Sequence, residues 1–232
     1  MPPVPEPLAL IPAYNEAAHI SEVVRRSLRH LRSVLVGDDG STDATADRAR
    51  AAGALVVRHP ANRGKGAALA TGFEEARRRG FEWVLTLDGD GQHDPGHIPT
   101  FLRAAAETGA DVVVGTRKAD HAAMPIIRRC TNAITSTVIS RLTHQTLTDT
   151  QSGYRLIRVS AWRAAAPATH SYDTESEFLI AACRRGYRAV EIPIATIYGT
   201  QQSSIHPLVD TLRFIRLAAR NIARPLPRGR IA

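Results

Sequence analysis

The chain reads as a single α/β domain, a mostly parallel sheet with helices on both faces. Three observations carry this. Runs of four or five apolar residues alternate with segments of helical periodicity. Such short apolar strands belong to a sheet buried on both sides. Polar residues then collect where those strands end, which is where open parallel sheets hold ligands. A length of 232 residues, 44% hydrophobic and 22% charged, suits this architecture and excludes disordered, collagen-like and disulfide-scaffold chains.

The elements follow in order. Residues 8–11 (Leu-Ala-Leu-Ile) form a buried strand. A helix runs from about Ala17 to Leu31, with Ile20, Val23, Val24, Leu28 and Leu31 on one face. Ser33 to Val36 is a strand ending in Gly37-Asp-Asp-Gly40, and Ser41 or Thr42 caps a helix over 43–52. Ala54 to Val57 is a strand and Gly64 to Arg79 a helix. Trp83 to Leu87 is a strand ending in Asp88-Gly-Asp90, followed by a helix from Pro95 to Thr108, where proline is tolerated in the first turn. Val112 to Val114 is a strand. Beyond residue 120 come helices over 126–142, 173–185 and from Pro207 to about Ile222, with a strand region over 187–197. Residues 1–7 are expected to be a disordered Pro-rich lead, 8–205 the domain, and 206–232 a C-terminal basic helix and tail.

No apolar run reaches the roughly 18 to 20 residues of a spanning helix, and the N-terminus lacks the pattern of a signal peptide. Cys130 and Cys183 have no metal-ligand spacing and are expected to be reduced core residues. A cytoplasmic location follows as an expectation. The net charge is +8, with 28 of the 30 basic residues arginine. That bias reflects either genome composition or attraction to phosphates. Nucleic acid is not expected as a partner, because aromatic residues are 5% of the chain and no basic helix interleaves them.

Four strand ends deliver polar groups to one edge: Asn15 and Glu16, Asp38 and Asp39, Asp88 and Asp90, and Arg117. Acids packed in this way repel one another unless a cation or hydrogen-bond donors offset them. Such oxygen donors suit Mg2+ or Mn2+, which leave coordination positions open for substrate phosphates. A solvated acidic turn with helix caps is the plainer reading of Thr86-Leu-Asp-Gly-Asp-Gly-Gln-His-Asp-Pro95 taken alone. Asn62-Arg-Gly-Lys-Gly-Ala-Ala68 opens a helix whose free N–H groups favour anions. It is no Walker A loop, since Gly66 stands where Ser or Thr would hold the metal. It nearly matches the dinucleotide fingerprint, with Leu69 at the third glycine, so an NAD(P)-dependent oxidoreductase is a rival reading.

Together, Ile11-Pro-Ala-Tyr-Asn-Glu16, Val36-Gly-Asp-Asp-Gly-Ser-Thr-Asp43, Asn62-Arg-Gly-Lys-Gly66, Leu87-Asp-Gly-Asp-Gly-Gln-His-Asp-Pro95, Gly115-Thr-Arg117 and Asp149-Thr-Gln-Ser-Gly-Tyr-Arg155 resemble a family 2 glycosyltransferase of the GT-A fold. The resemblance is to its dolichol-phosphate mannosyltransferase-like, or polyprenyl-phosphate glycosyltransferase, branch, and spans roughly residues 8–215. It implies that Pro12, Tyr14, Glu16 and Asp39 line the base and ribose pocket, with Lys65 also on the nucleotide side. It implies that Asp88 and Asp90 are the D-x-D pair, Asp90 a direct ligand of Mg2+ or Mn2+, Asp88 facing ribose or metal, and Gln92 completing the protein ligands. Arg117 and Arg155 would face the phosphates of donor or acceptor.

The implied reaction moves a hexose, with inversion, from GDP-mannose or UDP-glucose to a polyprenyl or dolichyl phosphate. Transfer to a saccharide or small-molecule hydroxyl is the alternative within the family. That alternative needs a carboxylate to take a proton, and Asp173, Glu175 and Glu177 are the candidates. The same acids also complement a helix dipole. Where the family commonly sets basic residues for the acceptor phosphate, this chain has Tyr198-Gly-Thr-Gln-Gln-Ser-Ser204. Leu208, Val209, Leu212, Ile215 and Ala219 share a face beside Arg213, Arg216, Arg220 and Arg224. That helix either packs on the core or lies on an anionic membrane surface, at the inner face of the membrane. A sugar nucleotidyltransferase would want a glycine-rich opening in place of Ile11-Pro-Ala-Tyr14, and a catalytically silent binding module is the remaining rival.

Overall fold

The computed structural model describes residues 3–116, 126–143, 145–169 and 173–195, with only the backbone described over 126–134. Seven strands form one sheet: β1 (Leu8–Ala13), β2 (Val34–Asp38), β3 (Leu55–Arg58), β4 (Trp83–Thr86), β5 (Val112–Thr116), β6 (Arg155–Arg158) and β7 (Ala189–Pro193). Their order is β3-β2-β1-β4-β6-β5-β7. β6 pairs antiparallel with both β4 and β5, and every other pairing is parallel. The expected α/β class is therefore present.

Alternation along each strand divides the core in two. Leu8 and Leu10 of β1 face one way, with Leu35, Val84, Val112 and Val114. They meet α3 (Lys65–Arg78), α5 (Ile126–Thr143), α6 (Val159–Ala165) and α7 (Thr174–Arg184). Phe73 of α3 stacks on Trp162 of α6 at 4.0 Å between ring centroids, and Trp162 continues to Phe178 of α7. Ala9, Ile11, Val34, Val36, Leu85 and Val113 face the other way, against α1 (Ile20–Ser27), α2 (Thr45–Ala51) and α4 (Ile98–Thr108). All six residues of β1 are buried, as a central strand covered on both sides requires.

Three elements depart from the expectation. Residues 155–165 form β6 and α6, neither of which the apolar spacing announces, because arginine begins and ends the four-residue strand Arg-Leu-Ile-Arg. The helix expected from Ala17 begins at Ile20, because the Glu16 carbonyl accepts the His19 and Ile20 N–H groups in a turn. Within the Pro-rich lead, Val4 packs on the core and Glu6 accepts the Arg32 N–H. Cys183 is buried, which pushes its thiol up to about 12. No helix among the described residues is long and apolar enough to cross a membrane. The expected helix over 207–222 lies outside the described residues.

α3 lies close on β1 because Gly72 has no side chain. A Cβ there would stand 2.2 Å from Leu10 Cδ1 and 2.5 Å from Cδ2. Gly72→Ala should gain about 1 kcal/mol of helix propensity and lose about 1–3 kcal/mol to overpacking. The expected net effect is a loss of up to about 2 kcal/mol by urea unfolding; a stabilised variant would contradict this packing.

Candidate active site

The chain runs outward from β1 in opposite directions: β2 and β3 lie on one side and β4 on the other. The reversal opens a crevice at the carboxyl ends of β1 and β4, the place where such sheets take ligands. Two loops bring acids to it, residues 14–19 after β1 and 87–94 after β4.

The first loop is set by hydrogen bonds to the loop after β2. Asn15 adopts φ 57°, a left-handed conformation that asparagine tolerates. Its side-chain oxygen accepts from Thr42 N–H at 2.8 Å, and its own N–H donates to Ser41 Oγ at 3.0 Å. The Glu16 and Ala17 N–H groups donate to Thr45 Oγ1 and Asp43 Oδ2. Tyr14, on the same loop, is 44% exposed. Pro12 is buried in β1 opposite Gly37.

The second loop folds on itself. The Gln92 N–H donates to Asp90 Oδ1 at 2.9 Å, and the Asp88 N–H donates to His93 Nδ1 at 3.2 Å. Asp94 turns away to cap the 3₁₀ turn Pro95–His97 and to pair with Arg26. Glu16, Asp88 and Asp90 then crowd one another. Burial first, and then the charges of Asp90, Asp88 and Asp43, push the Glu16 carboxyl up to about 7. Burial and the Asp88 charge also raise Asp90 above the usual carboxylate range.

Lys65, at the first position of α3, counters this crowd. Its Nζ lies 2.6 Å from Asp88 Oδ1 and 3.3 Å from Glu175 Oε2 of α7. Burial alone would lower its pKa, but the two carboxylates carry it above its ordinary value. α3 can start there because Gly64 takes φ 96° and ψ 153°, a conformation essentially confined to glycine. The Arg63 and Gly64 N–H groups are held by Asp39 Oδ1 and Oδ2 at 3.0 and 2.7 Å.

Glu16, Lys65, Asp88, Asp90 and Gln92 thus come together, and other expected site residues have further partners. Asp39 is nearly buried, and His59 Nδ1 at 2.7 Å takes much of its remaining capacity, so it braces the start of α3. Asp38 is fully buried and faces Arg58 and the Ser41 N–H. Arg155 is the residue expected to face a phosphate. It is 1% exposed, and its guanidinium donates to the carbonyls of Ser152, Thr150 and Glu175. Arg117 lies outside the described residues. Sequence reading missed His59, whose Nε2 meets Thr71 Oγ1 at 2.9 Å. It also missed the engagement of Glu175 with Lys65. Neither carries a signal in its spacing.

Among the described residues, no group of three or more His, Cys, Asp or Glu side chains is placed to hold a metal ion by itself. The chemistry of the donor set nonetheless fits a hard divalent cation: carboxylate oxygens, partly buried, whose mutual repulsion a cation would relieve.

The family model described as Glycosyl transferase family 2 matches residues 9–164. The UDP-N-acetylglucosamine–dolichyl-phosphate N-acetylglucosaminyltransferase of Methanococcus voltae is 30% identical over 212 residues, covering 82% of this chain and 84% of that protein. The undecaprenyl-phosphate mannosyltransferase of Micrococcus luteus is 32% identical over 207 residues, covering 82% and 83%. Among solved structures, glucosyl-3-phosphoglycerate synthase of Mycobacterium tuberculosis, crystallised with Mn2+, UDP and glucosyl-3-phosphoglycerate, superposes with a TM-score of 0.70 at 20% identity. The match covers 95% of this chain and 81% of that one.

The raised Glu16 carboxyl has a consequence for stability. Between about 4.5, its ordinary value, and about 7, the folded state binds a proton that the unfolded state has released. Stability attributable to this group therefore falls as pH rises through that window. Glu16→Gln should melt higher than wild type above pH 7 in metal-free buffer, with the difference vanishing near pH 4.5. Equal pH profiles would show that the acids do not crowd.

Proposed function

The chain belongs to glycosyl transferase family 2, and from that premise we propose that it moves a hexose, with inversion, from a nucleoside-diphosphate sugar to a polyprenyl or dolichyl phosphate. GDP-mannose is the first choice of donor and UDP-glucose the second. Family membership removes the oxidoreductase, nucleotidyltransferase and silent-module readings. The observation that carries the proposal is the crowd of Glu16, Asp88 and Asp90 at the β1/β4 crevice with Lys65 against it. The names of the two relatives, both acting on lipid phosphates, support the acceptor class.

Each residue then has a task. The exposed Tyr14 ring, on the Pro12 end of β1, offers a face to the base. Glu16 and Asp88 border the ribose, while Asp39 fixes the loop that carries Lys65. Asp90 and Gln92 would hold Mg2+ or Mn2+. When bound, such a cation offsets charge growing on the leaving diphosphate. Lys65 adds positive charge to the same side, and Arg117 is assigned to the phosphates from its sequence position. A phosphate acceptor is ionised near neutral pH, its second pKa being about 6, so it needs no strong base.

The state of the candidate bases favours that acceptor. Glu177 Oε2 accepts the Ala168 and Thr169 N–H groups, and Glu175 is engaged with Lys65. Transfer to a hydroxyl would rest on Asp173, one oxygen of which is buried without a hydrogen-bond partner.

A donor screen with Mg2+ and Mn2+, with and without a polyprenyl phosphate, tests the proposal. Glycosyl-phospholipid should form only with both a divalent cation and the lipid phosphate; product without the lipid phosphate would move the assignment to a hydroxyl acceptor. Asp90→Ala should abolish turnover with the fold retained by circular dichroism. Near-normal turnover would remove Asp90 from its role. Residues 206–232, outside those described, are proposed to attach peripherally to anionic membrane. The protein should sediment with anionic liposomes at low salt and be released at high salt. Failure to bind at any salt would refute the attachment.

A further inference from the structure

Arg155 has a use that its burial reveals. Its Nε donates to the Ser152 carbonyl at 2.8 Å and its Nη2 to the Thr150 carbonyl at 2.7 Å, which holds the 149–153 turn. Its Nη1 donates to the Glu175 carbonyl at 2.8 Å, in the first turn of α7. One planar guanidinium thus joins two segments, a geometry that a lysine ammonium does not reproduce.

Both segments bear on the same ion pair. On the turn, Gly153 stands directly against it: a Cβ there would lie 2.7 and 2.8 Å from the two Asp88 carboxylate oxygens and 2.9 Å from Lys65 Nζ. Thr86 Oγ1, at the end of β4, donates to the Gly153 carbonyl at 2.8 Å and keeps that backbone in place. The far end of the turn is also tied, since Glu191 of β7 accepts the Thr148 and Asp149 N–H groups. On α7, the Glu175 carboxylate shares Lys65 with Asp88. The Asp88–Lys65 pair is therefore backed by glycine on one side and by Glu175 on another.

We propose that Arg155 is a positioning residue for transfer: it holds the 149–153 turn and the start of α7 so that Gly153 and Glu175 fix the Asp88–Lys65 pair at the donor crevice. This rests on the transfer reading above. Gly153 is part of the device because its missing side chain makes the room that the pair occupies. The atoms a Cβ would meet are the ends of two long or rotatable side chains, so an added methyl displaces the pair and spares the fold.

Gly153→Ala and Arg155→Lys, in the full chain, are compared with wild type for kcat, donor KM, Mn2+ affinity by electron paramagnetic resonance, and melting temperature. Gly153→Ala should melt close to wild type, bind Mn2+ more weakly and lose at least about tenfold in kcat/KM, the scale of cost expected from a small misplacement. Arg155→Lys should lose activity in the same sense; if it does not fold, Gly153→Ala decides alone. Wild-type kinetics and Mn2+ affinity in Gly153→Ala would overturn the proposal. So would a large fall in its melting temperature, which would show that the turn serves the fold and not the pair. A wild-type protein that takes up neither Mn2+ nor a sugar nucleotide would instead overturn the proposed function, so the two failures are distinct.

Discussion

Glu16, Asp88 and Asp90 arrive from the ends of two adjacent strands, and burial brings them within reach of one another's charge. Like charges in a half-buried crevice are unfavourable, and the fold accepts this where it could have placed neutral residues. Lys65 offsets part of the charge, through Asp88 and Glu175. Much of the surrounding structure is arranged to keep Lys65 there. Asp39 fixes the loop before α3, Gly64 supplies the turn that starts the helix, and His59 and Thr71 hold Asp39 in its place.

The sheet order explains why the acids meet. β1 has β2 on one flank and β4 on the other, so the connections leave β1 and β4 with an open crevice between their carboxyl ends. β6 is inserted antiparallel between β4 and β5, so it starts at the crevice edge, with Arg155 opposite Thr86, and runs away from it. The 149–153 turn reaches Asp88 for that reason. An all-parallel sheet would have left the segment at the opposite edge.

Much of the fold was legible in the residues. Apolar runs such as Leu8–Ile11 and Trp83–Leu87 are strands because a doubly covered sheet tolerates little else, and the periodicity of α1 and α3 follows from one buried face. β6 was not legible: two of its four residues are arginine, and burial of Arg155 depends on carbonyls far along the chain. The candidate site was legible as a set of strand ends, but the direction of each side chain was not. Asp38 and Asp39 look equivalent to Asp88 and Asp90 in sequence, yet both point inward, to Arg58 and to His59. Aspartates after a strand serve equally as caps or as ligands, and only tertiary contacts separate the two.

The role proposed for these acids is to hold a divalent cation against a sugar nucleotide. Isothermal titration calorimetry of GDP and UDP into the protein, with and without Mn2+, tests it most directly. One of the two nucleotides is expected to bind measurably in the presence of Mn2+ and far more weakly once the cation is chelated. Binding that is indifferent to the cation, or no heat with either nucleotide, would contradict it.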